Sequence, residues 1–137
     1  MKLSTMRRRY LREATVMLLI TGLAVRIRPA QVFAWANRPL RHTSRFTVDE
    51  KGWVGWSVET MGARRWINAS CLTRALAAQA MLRRRGIASR LCLGVSCSDA
   101  TLSAHAWVEI GQEVIVGGPE IGRFTRLTEF GGGVVQL

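Results

Sequence analysis

The sequence predicts an α+β domain, with helices first and an antiparallel sheet after them. Two observations carry that expectation. Between Cys71 and Gly86, Leu72, Ala75, Leu76, Gln79 and Leu82 recur near i, i+3, i+4, i+7, which draws one largely apolar stripe on a helix. From Ser89 onward the period shortens to that of strands, so a helical half is followed by a sheet-forming half. A chain of 137 residues with 48% apolar side chains has enough material for one core, and that composition excludes wholesale disorder.

Residues 1–12 are basic, and Ala14 to Val25 is apolar. The pair has the look of a signal peptide's charged and hydrophobic regions. Arg26 and Arg28, however, stand where a small-x-small cleavage site would be. The apolar run is also shorter than the ~20 residues that span a bilayer. A helix that is buried or faces a partner is therefore expected, with peripheral membrane contact as the alternative. Pro29 marks a break, and a second short helix follows through Val32 to Leu40, ending at Pro39.

Arg41 to Met61 is polar and interrupted by Gly52 and Gly55, so it reads as a connection with a short helix around Val54 to Met61. Asn68 to Ser70 then leads into the helix from Cys71 to Gly86. Gly86 is its natural stop, and Arg83, Arg84 and Arg85 suit the negative end of its dipole. Ser89 to Val95, Ala104 to Ile110 and Glu113 to Val116 read as three strands, the last two joined by the tight turn Gly111-Gln112. The expected organisation is a basic helical region, 1–48, and a core region, 49–137, forming one compact domain.

Charge divides along the same line. Residues 1–48 hold ten Lys/Arg against the single acid Glu13, whereas residues 49–137 hold ten against eight, so most of the net +11 lies in the first third. Such a region attracts an acidic peptide, a nucleic acid or an anionic membrane, and charge alone does not choose among them. No nucleic-acid-binding motif accompanies it, and many of the charges flank an apolar helix; nucleic acid is therefore not an expected partner. The three cysteines, Cys71, Cys92 and Cys97, form neither an even disulfide framework nor a zinc pattern. They fit a reducing cytoplasm, and the chemistry below needs no cofactor.

Cys71 opens its helix, where unpaired backbone N–H groups and the positive dipole end favour a thiolate and could stabilise an oxyanion. A small cysteine capping a helix is the bland reading of the same position. His105 adds a candidate base on a strand, flanked by Ala104 and Ala106, which leave space around its ring. A helix-start cysteine followed by a histidine on a neighbouring sheet is the arrangement of thiol hydrolases. His42, in the basic region with no nucleophile nearby in sequence, reads as incidental. Trp66 and Trp107 read as core more readily than as cleft walls, and Cys92 and Cys97 as packed or loop thiols.

Several blocks occur in a specific order over residues 66–111: Ser70-Cys71-Leu72, Arg74-Ala75-Leu76, Leu82-Arg83-Arg84-Arg85-Gly86-Ile87, Leu93-Gly94-Val95 and Ala104-His105-Ala106-Trp107-Val108-Glu109. This order resembles the transglutaminase-like leader peptidases of lasso peptide biosynthesis. The Arg64-Arg65-Trp66 run and the Arg-rich apolar N-terminal helices are similar to that family too, and the length matches its split form. The resemblance implies a papain/transglutaminase-like cysteine peptidase core that removes the leader from a ribosomally made precursor. Its implied partners are that precursor, a separate leader-recognition protein and an ATP-dependent cyclase. Cys71 would be the nucleophile and His105 the base.

The family completes its triad with an Asp about a dozen residues after the histidine. Here an unbroken two-residue turn would set His105 opposite Gly118, and Gly117 and Gly118 have no side chain to offer. Glu120 is the nearest downstream acid and the candidate third residue; Asp99 and a backbone carbonyl or amide are the alternatives. Glu109 shares a face with His105, but four residues at ~3.3 Å rise set it too far for a direct bond. The missing acid also keeps open a second reading, a catalytically impaired peptide-binding scaffold of the same pathway.

Overall fold

In the computed structural model, which describes residues 3–38, 48–98, 100–118, 122 and 124–131, four helices precede a four-stranded antiparallel sheet. The α+β expectation holds. His42, Asp99 and Glu120 lie outside the described residues.

Helix α1 (Leu3–Ile27) buries Tyr10, Ala14, Leu18 and Thr21, which recur at helical spacing and so form one inward stripe. A second apolar stripe, Val16, Leu19, Ile20, Leu23 and Ile27, is exposed. No helix among the described residues is long and apolar enough to cross a membrane. Tyr10, Ala14 and Leu18 share one core with Val54, Val58, Leu76, Met81, Leu82, Val108 and Val116.

Glu13 ties α1 to the end of the Cys71 helix, with Arg85 at 2.5 Å and Arg84 at 3.0 Å. Burial pushes its carboxyl pKa up, but the Arg85 hydrogen bond and the charges of Arg85, Arg84 and Arg9 outweigh this and hold it below the ordinary carboxylate value. A depressed folded-state pKa stabilises the fold above the unfolded value, and that stability is lost as pH falls through the folded one. Urea unfolding from neutral to acid pH is therefore expected to show a steeper loss for wild type than for Glu13→Gln, with the difference confined to the range below ordinary carboxylate titration.

Helix α2 (Pro29–Ala36) begins with Pro at its first turn, where a missing N–H costs nothing. Helix α3 (Val48–Gly62) corrects the expected connection: fifteen residues are helical, not only the stretch from Val54. Gly52, Gly55 and the polar residues hide its helical period, while Val54 and Val58, four apart, are wholly buried and hold it on the core.

Helix α4 (Cys71–Arg84) starts as read. Ser70 caps it by accepting from the Thr73 N–H at 3.2 Å. Gly86, at φ +71°, ends it, with the Ile87 N–H bonded to the Leu82 carbonyl and the Gly86 N–H to that of Arg83. The sheet, in spatial order β3-β2-β1-β4, comprises β1 (Arg90–Ser98), β2 (Thr101–Ile110), β3 (Glu113–Val116) and β4 (Thr125–Gly131). Strand β4 was not expected; five of its seven residues are exposed, so it carries no alternating pattern. Helix α4 packs across β2, β1 and β3, and α3 against β3.

Candidate active site

Three features of the chain bring a thiol and an imidazole to one place. The α4 cap sets Cys71 in the first helical turn. Ser70 takes the N–H groups of Thr73, through its hydroxyl, and of Arg74, through its carbonyl. The N–H groups of Cys71 and Leu72 are then the ones the helix geometry leaves for an anion. Upstream, Arg74 spans the approach: its Nε donates to the Ala69 carbonyl at 3.0 Å and its Nη2 to that of Gly62 at 3.1 Å. That clamp fixes the Gly62–Ala69 turn that feeds the cysteine.

Strand β2 supplies His105, half-buried between exposed Ala104 and buried Ala106. Cys71 and His105 line the same cleft, about 460 Å³, together with Glu59, Ala69, Arg74, Ala104, Ala106, Val116 and Gly117. Both proposed partners are therefore brought to one opening.

Among the described residues the group that meets the imidazole is one of the expected alternatives, a backbone carbonyl; Glu120 and Asp99 lie outside those residues. The β2–β3 ladder runs Ile110↔Glu113 and Glu109↔Val114, then skips Ile115 to pair Val108 with Val116. This bulge moves the register beyond Val116 further from a His105–Gly118 pairing; Gly117, just past the end of β3, reaches His105 with its backbone oxygen and not as its cross-strand partner. The Gly117 carbonyl lies 2.9 Å from His105 Nε2. A carbonyl can only accept, so Nε2 carries the proton, and Nδ1 of the neutral ring is left as the basic nitrogen. Gly117 has φ +87°, a conformation that aims its carbonyl back at the ring and that side chains resist. Among the described residues a backbone oxygen thus orients the imidazole where the resembling family uses a carboxylate.

The imidazole also stacks on two aromatic rings, Trp107 at 6.0 Å between centroids and Phe124 at 5.0 Å.

The chain matches the family model described as the transglutaminase-like superfamily over residues 14–129. It belongs to that superfamily. The transglutaminase-like superfamily includes cysteine peptidases, and the matched span covers both Cys71 and His105. Neither the curated proteins nor the solved structures contain a significant match to the chain.

The remaining thiols of this transglutaminase-like domain differ in kind from Cys71. Cys92 is fully buried on β1, and burial, with the nearby Glu109 charge, pushes its pKa up to about 11, which keeps it a protonated thiol. Cys97 is exposed and Trp66 lies at the surface, 66% accessible, whereas Trp107 is buried. The core reading of the two tryptophans therefore holds for Trp107 and fails for Trp66, which follows α3 in an exposed turn.

Sequence reasoning singled out neither Phe124 nor Gly94 as part of the site. Gly94 pairs with His105 across β1 and β2. A Cβ there would lie 2.9 Å from Cη2 and Cζ3 of Trp107 and 3.0 Å from the Thr125 carbonyl. A glycine inside a central strand was the available signal, since it marks close approach by another group. Gly94→Val is expected to expel the Trp107 ring, lower stability by about 1–3 kcal/mol and alter the near-ultraviolet circular dichroism; an unchanged Tm would contradict the close packing.

Proposed function

We propose that the protein is a cysteine peptidase that removes the leader from a ribosomally synthesised lasso peptide precursor. The observation that carries this reading is the shared cleft: a helix-start cysteine and a histidine whose Nε2–H is held by a carbonyl, leaving Nδ1 to act as base. Membership of a superfamily that includes cysteine peptidases supports the reaction type. The order of sequence blocks from Ser70 to Glu109 supports the pathway.

In the proposed reaction His105 Nδ1 takes the Cys71 proton, and the thiolate attacks the scissile carbonyl, forming a C–S bond. The developing oxyanion meets the first-turn N–H groups of α4. The C–N bond then breaks as imidazolium protonates the leaving amine, which becomes the N-terminus of the core peptide. Water, deprotonated by the same imidazole, cleaves the thioester and returns free enzyme with the leader carboxylate. The freed amine is the group that a cyclase would join to an acidic side chain.

The proposed partners are the precursor, a separate leader-recognition protein and that ATP-dependent cyclase, with the basic N-terminal region as their docking surface. The scaffold reading drew its support from the glycines at the acid's position. With the Gly117 carbonyl at 2.9 Å from His105, the ring has an orienting acceptor without the acid.

The test is to mix a precursor and the leader-recognition protein with either wild-type protein or Cys71→Ala. Mass spectrometry should detect leader and core peptide with wild type and intact precursor with Cys71→Ala. Equal cleavage by both, or none by wild type with its cognate precursor, would remove the proposal.

A further inference from the structure

A buried carboxylate lies two residues beyond the ring that stacks on His105. Glu109 is 6% exposed. Its Oε1 accepts from the Trp107 indole N–H at 2.9 Å and from Arg126 at 2.6 Å, and its Oε2 accepts from Arg90 at 2.8 Å. His105, Trp107 and Glu109 alternate along β2 and so share one face of the strand. The contact order along that face is carboxylate to indole to imidazole, with Trp107 and His105 planes inclined by 23°.

We propose that Glu109 is a positioning residue for His105, acting through Trp107 to fix the imidazole and to favour its protonated form beside the Cys71 thiolate. This rests on the reading of Cys71 and His105 as a reactive pair.

The physical chain has two links. A charged acceptor on the indole N–H locks the ring's rotation and draws its dipole so that the π-face becomes more negative. A more negative face stabilises a cation stacked on it, and imidazolium is that cation. A neutral acceptor would keep the first link in weaker form and lose the second.

A purely structural ion cluster accounts for this carboxylate less completely. Arg90 and Arg126 neutralise it, but both also reach Glu129 on β4, at 3.8 and 3.1 Å, and Arg126 in addition lies over the Trp107 ring, 5.8 Å from its centroid, so the Glu109 carboxylate also offsets a cation already on that ring. The groups facing Glu109 are thus Arg90 and Cys92 from β1 and Arg126 and Glu129 from β4. Those sharing the cleft with His105 are Cys71 and Arg74 from α4 and Glu59 from α3. Burial alone would push the Glu109 carboxyl up. The hydrogen bonds from Trp107 and Arg90 and the charges of Arg126 and Arg90 outweigh burial and hold it below its ordinary value, so it stays charged across the pH range in which His105 would work.

The experiment needs no precursor. Iodoacetamide alkylation of Cys71 is followed against pH by peptide mapping, with exposed Cys97 as the internal reference, in wild type, Glu109→Gln, Trp107→Phe and the double variant. Wild-type Cys71 should react through an imidazolium-paired thiolate well below the pH at which Cys97 reacts. Near pH ~6, Glu109→Gln should be slower by about threefold to tenfold, the worth of one charge-assisted contact and one ring contact, with the high-pH rate unchanged. Trp107→Phe should show a similar loss, and the double variant no more than Trp107→Phe alone.

A Glu109→Gln profile superimposable on wild type overturns the proposal. Losses that multiply in the double variant also overturn it, because Glu109 would then act by another route. Should Glu109→Gln not fold, Trp107→Phe retains the four-residue ion cluster and decides the matter by the same shift. A wild-type Cys71 that merely follows Cys97 would be a different failure, of the reactive pair itself.

Discussion

Replacing His105 with alanine is expected to slow precursor cleavage by about 10²–10⁴-fold, the range over which a positioned general acid–base contributes. The fold should survive. His105 is only half-buried and opens into the cleft, so its removal leaves a space that water can fill, and the Gly117 carbonyl can turn to that water. The loss should appear in kcat rather than KM, because the imidazole acts on proton positions in the transition state and not on leader binding. Single-turnover cleavage, with the Tm of the same preparation, separates the two effects. A fall of less than about tenfold would mean that another group supplies the base.

The second large effect is expected at Gly117. A valine there must adopt φ +87°, which costs a β-branched residue at least ~1–2 kcal/mol. Its Cβ would also lie 2.9 Å from both the Ala106 carbonyl and Trp107 Cβ, and 3.2 Å from His105 Nε2. The backbone must shift, and the carbonyl that orients the imidazole shifts with it. Since a displacement of about 1 Å in a catalytic group can cost ~10²-fold, cleavage should fall by roughly that factor, with a lowered Tm. Gly118→Ala is the control. Its Cβ meets Val114 Cγ1 at an ordinary 3.5 Å, so stability and rate should stay close to wild type. Equal behaviour of the two variants would refute the orienting role assigned to the Gly117 carbonyl.

These positions also mark how far the sequence could be read. The Cys71 helix was legible at both ends because its cap, its apolar stripe and its terminal glycine are local signals in side-chain identity. His105 on a strand was legible for the same reason. The group that orients it was legible only as a class, a backbone carbonyl among the alternatives; that Gly117 supplies it was not, because Gly117 lies past the last paired residue of β3 and meets the ring off the register of the ladder. An unbroken ladder pointed to Gly118, one residue away. Helix α3 was under-read because Gly52 and Gly55 argue locally against a helix that tertiary burial of Val54 and Val58 sustains. Strand β4 was missed because its pairing with β1, through another register shift beside Gly94, is long-range and its side chains are mostly exposed.

Glu109 shows the same limit from the other side. Strand geometry ruled out a direct bond to His105, and that inference stands. The intermediate ring that links the two becomes visible only when the Trp107 indole N–H is found 2.9 Å from the carboxylate.

The decisive measurement is the intact mass of the protein quenched in acid during turnover of its precursor. If Cys71 is the nucleophile, a fraction of the chain carries the leader as a thioester, heavier by the leader mass less one water, and peptide mapping places the adduct on Cys71. Cleavage that proceeds with no adduct under any quench time, or with the adduct on Cys97, would contradict the covalent route through Cys71 and His105.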